Sequence, residues 1–149
     1  MFIQEADLFR GVDQETMNEV SAIMVEESYE KGTILFVEGD PATHFFVLEE
    51  GRVRLVVRKE AELDYPVTRP GEAFGWSSLV GRDLYTAQAE CETPCKLIKI
   101  EGERLQKIFQ RHPDSGIVFF KGLAGAIGKR LISTYDALLS RQSSEASYG

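Results

Sequence analysis

Histidine, cysteine and tryptophan are scarce in this 149-residue chain, with two, two and one copies. His44 and His112 lie far apart, so the clustered histidines and carboxylate of a cupin-type metal enzyme are missing. His112 precedes Pro113, a common helix stop, and reads as structural. Cys91 and Cys95 are four residues apart with no second pair, whereas zinc takes four ligands at tighter paired spacing. They read as a buried strand residue and a turn residue. No paired carboxylates, nucleophile elbow or Walker loop appears. These gaps exclude the common enzyme classes, and neither a metal nor a resident cofactor is expected.

Long apolar runs are absent too. No stretch approaches the roughly 18 residues of a membrane span, and no basic-then-apolar leader precedes Glu5 and Asp7. The cytoplasm is the expected compartment. Basic residues are outnumbered, 17 against 24 acidic, for a formal net charge of −7. Nucleic acid needs the opposite sign of surface.

What the chain does have is turn chemistry between short apolar runs. Its length suits one domain with a proper core. Residues Ala6 to Met24 read as helical, with a break at Gly11 and an N-cap at Asp13. Met17, Val20, Ile23 and Met24 follow at helical spacing, an apolar face for docking on a sheet. From Glu27 to Ile100 short strands alternate with glycine turns. TILFV follows Lys31-Gly32, HFFVL follows Gly39-Asp40-Pro41, and Arg52 to Lys59 is the clearest strand. Val53, Leu55 and Val57 share one of its faces, and Arg52, Arg54, Val56 and Arg58 share a mostly wet one. Residues 60 to 64 read as a loop, Tyr65 to Thr68 as a strand, and Lys96 to Ile100 closes the series. About eight such strands predict a β-sandwich, jelly roll or β-roll.

Within this series the stretch from Pro70 to Cys91, PGEAFGWSSLVGRDLYTAQAEC, has its own pattern. Gly75 opens an apolar turn, Trp76 to Val80, whose first N–H groups could hold an anion. From Leu84 the period is two, with Tyr85, Ala87, Ala89 and Cys91 on one face and Thr86, Gln88 and Glu90 on the other. This segment resembles the phosphate-binding cassette of cyclic-nucleotide-binding domains, as in the sensor domains of catabolite-activator-type bacterial regulators. Phe74-Gly75, Leu79 and Thr86-Ala87 match the family pattern. Gly32, Gly39-Asp40, Gly51, Gly71 and Gly75 stand where that family places its turn glycines, and the match runs from Leu8 to about Leu139. Two positions depart from it. The family's ribose-binding glutamate falls at Trp76, and its phosphate-pairing arginine falls at Tyr85.

The resemblance implies an α+β fold, an antiparallel β-roll or jelly roll of about eight strands with an N-terminal helix and a long C-terminal one. It implies a nucleotide-like small-molecule ligand at Gly75, Trp76, Ser77, Ser78, Tyr85 and Thr86. Trp76 and Tyr85 either plug the pocket or stack on a planar ligand. Arg82 sits in a polar bend that faces water.

The domain is expected over 1–139, its last helix over 115–139, and a disordered polar tail over 140–149. Phe120, Ala124, Ile127, Leu131, Thr134 and Leu138 make a seam at alternating spacings of four and three. Gly122, Gly125 and Gly128 weaken the helix by about 1 kcal/mol each unless another surface comes close. That surface is either the domain's own β-roll or the same helix of a second subunit, and the resemblance implies a homodimer. With no room for a recognition helix, specific DNA binding is not expected. The chain reads as a stand-alone regulatory sensor acting through a partner or dimerisation, or as a ligand-free interaction module on the same scaffold.

Overall fold

The computed structural model describes the backbone of residues 3–148 and the side chains of residue 3 and of residues 5–141. Eight antiparallel strands form two four-stranded sheets. The first has the order β1-β8-β3-β6, from Val25–Tyr29, Cys95–Glu101, His44–Glu50 and Ala73–Phe74. The second has the order β2-β7-β4-β5, from Ile34–Phe36, Gln88–Cys91, Val53–Arg58 and Glu62–Val67.

The apolar run HFFVL has no alternation because β3 is buried on both faces. Phe46 and Leu48 join Val53, Leu55 and Phe74 in a core between the sheets. Phe45 and Val47 join Ile98 and Ile100 in a second core, under the helices. The five turn glycines, Gly32, Gly39, Gly51, Gly71 and Gly75, have φ of 89°, 93°, 102°, 93° and 72°.

Three local expectations are corrected. β5 begins at Glu62 rather than Tyr65, because its charged residues pair across the ladder. Asp64 accepts from Arg54 at 3.0 Å, and Glu62 stands 3.5 Å from Arg58. Val56, on the face expected to be wet, is 2% exposed. Cys95 opens β8 opposite Tyr29 instead of sitting in a turn. Both thiols are buried, and burial, with Cys95 alongside, pushes the Cys91 thiol up to about 12.

Three helices cover the first sheet. Helix α1, Gln14–Ile23, is capped by Asp13, whose carboxylate accepts from Thr16 N at 2.8 Å. The same carboxylate accepts from the Ser115 hydroxyl at 3.0 Å, which ties α1 to the last helix. Helix α2, Gly102–Arg111, is closed by His112, and Pro113 begins α3 where its missing N–H costs nothing.

Helix α3 runs from Pro113 to Tyr148, so it is longer than the expected 115–139. The segment 140–148, expected as a disordered tail, continues the helix, and Gly149 lies outside the described residues. Arginine, glutamine, glutamate and alanine in RQSSEASY are good helix formers, and they extend a helix already nucleated.

The expected seam on α3 splits between two faces. Phe119 and Leu123 are buried, and Ala126, Ile127, Arg130 and Thr134 are half-buried beside the domain. Ile117, Leu131, Ile132, Tyr135, Leu138 and Leu139 face outward, between 44% and 68% exposed. Phe120 and Ala124 go with them, because a straight helix of 3.6 residues per turn drifts off a strict heptad. A methyl group on Gly122 would lie 3.8 Å from the Leu8 backbone, so this glycine lets the helix lie close to the domain. Gly125 and Gly128 face nothing within 4 Å. No described helix is long and apolar enough to cross a membrane.

A candidate ligand cavity under the last helix

A cavity of about 440 Å³ lies between the second sheet, the cassette and α3. That volume is within the range of small-molecule sites, roughly 300–1,000 Å³. Leu55, Val57, Leu63 and Tyr65 form one wall, and Phe36 and Ala87 extend it. Arg130, Ser133, Thr134 and Ala137 of α3 form the other.

The cassette supplies the floor. Gly75 adopts a left-handed conformation, φ 72° and ψ 31°, and starts a five-residue 3-10 turn, Trp76–Val80. Its missing Cβ matters, since a methyl there would stand 3.2 Å from Phe36 and 3.3 Å from Phe46. Of the six expected ligand residues, Gly75, Trp76, Ser77 and Thr86 converge on the cavity. Ser78 and Tyr85 stand outside its wall.

Ser78 turns toward α2. Its hydroxyl is buried with no hydrogen-bond partner among the described residues, and its carbonyl accepts from Gln106 at 3.1 Å. Tyr85 is a core residue, 6% exposed, with its ring stacked 3.8 Å from Phe36 at 13°. Its hydroxyl donates to the His44 carbonyl and accepts from His44 N at 3.3 Å, and burial raises its pKa above the usual phenol value. The position that the resemblance gives to a phosphate-pairing cation therefore packs between the sheets. Arg82 is exposed, as its bend suggested.

The cation of this cavity comes instead from α3, a residue that the sequence reading missed. The Arg130 guanidinium lies over the rings of Tyr65 and Trp76, 4.2 Å from each centroid. Its Nη2 donates to the Ala73 carbonyl at 3.3 Å and stands 3.7 Å from Glu72 Oε2. Its Nε is buried without a partner among the described residues. Burial pushes this guanidinium below its ordinary pKa, opposed by Tyr65 and Glu72, yet an arginine stays charged at neutral pH. Glu72 is held in place by the Tyr65 hydroxyl at 3.1 Å and by the Thr68 and Arg69 N–H groups at 3.4 Å. Asp64, the other charged lining residue, is paired with Arg54. One signal pointed to Arg130: it follows Leu123 and Ile127 and precedes Thr134 on the inner stripe of α3.

Two sheets rolled together, with a lined cavity closed by the final helix, define a β-roll domain with a cavity of small-molecule size. The sequence pattern of the cyclic nucleotide-binding domain matches residues 26–112, and the chain belongs to that family. The cGMP-dependent protein kinase, isozyme 2 forms cD5/T2, of Drosophila melanogaster is 26% identical over 127 residues, 77% of this chain and 14% of the kinase. The global nitrogen regulator of Synechocystis sp. is 29% identical over 126 residues, 82% of this chain and 54% of the regulator. The chain thus spans less than two thirds of either relative. A solved structure from Geobacter metallireducens GS-15, classed as cyclic nucleotide-binding, superposes with a TM-score of 0.76 at 28% identity. That match covers 87% of this chain and 95% of the other.

Proposed function

We propose that the chain is a regulatory sensor whose cavity takes a nucleotide-like small molecule in an altered pose, and which signals through pairing along α3 or through a protein partner. The observation that carries this reading is Arg130. The cation belongs to the same helix that presents the exposed apolar stripe, so an occupant of the cavity touches the element that would meet a partner. The role is regulatory rather than catalytic, consistent with the regulators and regulated kinase it resembles.

A thermal-shift panel of cyclic AMP, cyclic GMP, cyclic dinucleotides and linear nucleotides tests the ligand half. A binder at about 100 times its Kd stabilises the fold by about 2.7 kcal/mol and raises Tm by several degrees. Ser77→Ala and Thr86→Ala should diminish the shift. A flat response at millimolar concentration would leave a ligand-free dimerisation module, the reading that the α3 stripe supports without the cavity.

Sedimentation tests the dimer half. Leu131 is 49% exposed and lies in line with Ile117, Ala124 and Leu138 at seven-residue spacing, one side of a pairing seam. Leu131→Glu should convert a dimer to a monomer with its folded stability nearly unchanged. A wild-type chain that sediments as a monomer at high micromolar concentration would remove this half of the proposal.

A further inference from the structure

Resting on the reading of the cavity as a site for a nucleotide-like molecule, we infer that its preferred ligand is an uncharged nucleoside, whose base edge pairs with the free backbone N–H and C=O of Asp64 on β5. Charge sets the class. Among the residues lining the cavity Arg130 is the one cation, and its charge is already answered. Glu72 stands 3.7 Å from it, its Nη2 donates to the Ala73 carbonyl at 3.3 Å, and its Nε is buried. At the position that the resemblance gives to a phosphate-pairing arginine, Tyr85 packs between the sheets. A phosphate would be buried here without a counter-charge, a cost that an uncharged ligand does not carry.

The backbone of β5 sets the contact. This strand is an outer strand of the second sheet, in unbroken register with β4 from Val53↔Val67 to Arg58↔Glu62. Along an antiparallel pair, residues alternate between turning both backbone groups toward the partner strand and turning both away. Glu62 turns away, because its carbonyl accepts from Arg141 Nη2 at 3.3 Å. Pro66, which has no N–H to give the ladder, has the same parity. Asp64 stands between the two, so its N–H and C=O also point away from β4. Its carboxylate accepts from Arg54 at 3.0 Å on one face of the sheet, and Leu63 and Tyr65 take the other. What Asp64 presents to the cavity is therefore backbone, across from Ser133 and Ala137 of α3. A donor and an acceptor side by side match the amide-like or amidine-like edge of a nucleobase.

The rest of the lining suits a base and a sugar. Phe36, Tyr65 and Trp76 place three aromatic rings around the space for the base. Ser77 and Thr86 on the cassette, with Ser133 and Thr134 on α3, supply hydroxyls that donate and accept as a sugar's own do. The Thr134 hydroxyl already donates to the Arg130 carbonyl at 2.9 Å, which leaves its lone pairs for a ligand donor.

The experiment is titration calorimetry of the full chain. Adenosine and guanosine are compared with their 5′-monophosphates, with cyclic AMP and cyclic GMP, and with N6,N6-dimethyladenosine and 1-methylguanosine, whose base edges are blocked. The nucleosides are expected to bind at least about tenfold more tightly than any of the phosphates, and the methylated bases to lose about tenfold. Asp64→Pro and Asp64→Ala lose the same side chain and differ in the N–H, at an edge position of the kind that already holds Pro66. The proline variant should bind about tenfold more weakly than the alanine one. The methylated bases test the same contact in the unaltered chain if Asp64→Pro fails to fold.

Phosphates that bind as tightly as the nucleosides overturn the uncharged class while the sensor reading stands. Full affinity for the methylated bases, or equal affinity of the two Asp64 variants, overturns the contact with β5. Silence from every compound overturns both the inference and the reading beneath it.

Discussion

Phe119→Ala should cost about 3–5 kcal/mol of folding stability, the usual range for removing a buried aromatic ring. Phe119 is fully buried and comes from the early turns of α3. Its ring lies 5.0 Å from Phe9, 4.9 Å from Phe109 and 6.1 Å from Phe45, so one side chain joins the N-terminal turn, α2 and β3 to α3. The site cannot collapse easily, because its neighbours are themselves rings fixed on separate elements. A domain with a total stability of roughly 5–15 kcal/mol loses much of its margin this way. Urea unfolding followed by circular dichroism measures the loss. A cost under about 1 kcal/mol would mean that α3 is not docked by this residue.

Gly51→Ala is expected to destabilise by about 2–5 kcal/mol, from two sources that a control separates. Gly51 joins β3 to β4 with φ of 102°, a conformation costing an L residue roughly 1–2 kcal/mol. An added methyl would also lie 2.5 Å from the Pro94 carbonyl and 2.8 Å from Cys95 Sγ. That carbonyl is backbone at the β7–β8 turn, so the turn must shift, and overpacking of this kind adds about 1–3 kcal/mol. Gly81 has φ of 80° but nothing within 4 Å of the same methyl, so Gly81→Ala should show the conformational cost alone. Equal losses at the two positions in thermal melts would contradict the close approach at Gly51.

Much of the fold was legible because most strands are followed by a glycine or proline turn, the exception being the Lys59-Glu60-Ala61 turn between β4 and β5. The five glycines of the family pattern all take positive φ, and Asp13 caps α1 as its spacing suggested. The run HFFVL identified a strand, but its division between two cores depends on what lies above and below it, which no local pattern states.

The site was partly legible for a similar reason. Gly75, Trp76, Ser77 and Thr86 follow the chain around the cavity. Tyr85 does not: it is buried between the sheets with Ala89 and Cys91, two residues of its alternating face, whereas Ala87 of the same face lines the cavity. The resemblance pointed Tyr85 at a ligand, whereas backbone bonds to Asp40 at 2.9 Å and Gly39 at 3.0 Å fix that segment with its side chain inward. Arg130 was hidden because a cation on a long helix reads as solvent-facing until the helix is laid over two aromatic rings.

The central claim is that the space beneath α3 is a ligand site, and Trp76, the chain's single tryptophan, lies in its wall. Its fluorescence, titrated with the cyclic nucleotides, cyclic dinucleotides and linear nucleotides, tests that claim most directly. A saturable change in its emission that Ala137→Phe, a larger side chain in the cavity lining, removes is the predicted result. Unchanged emission with every compound at millimolar concentration would contradict the account.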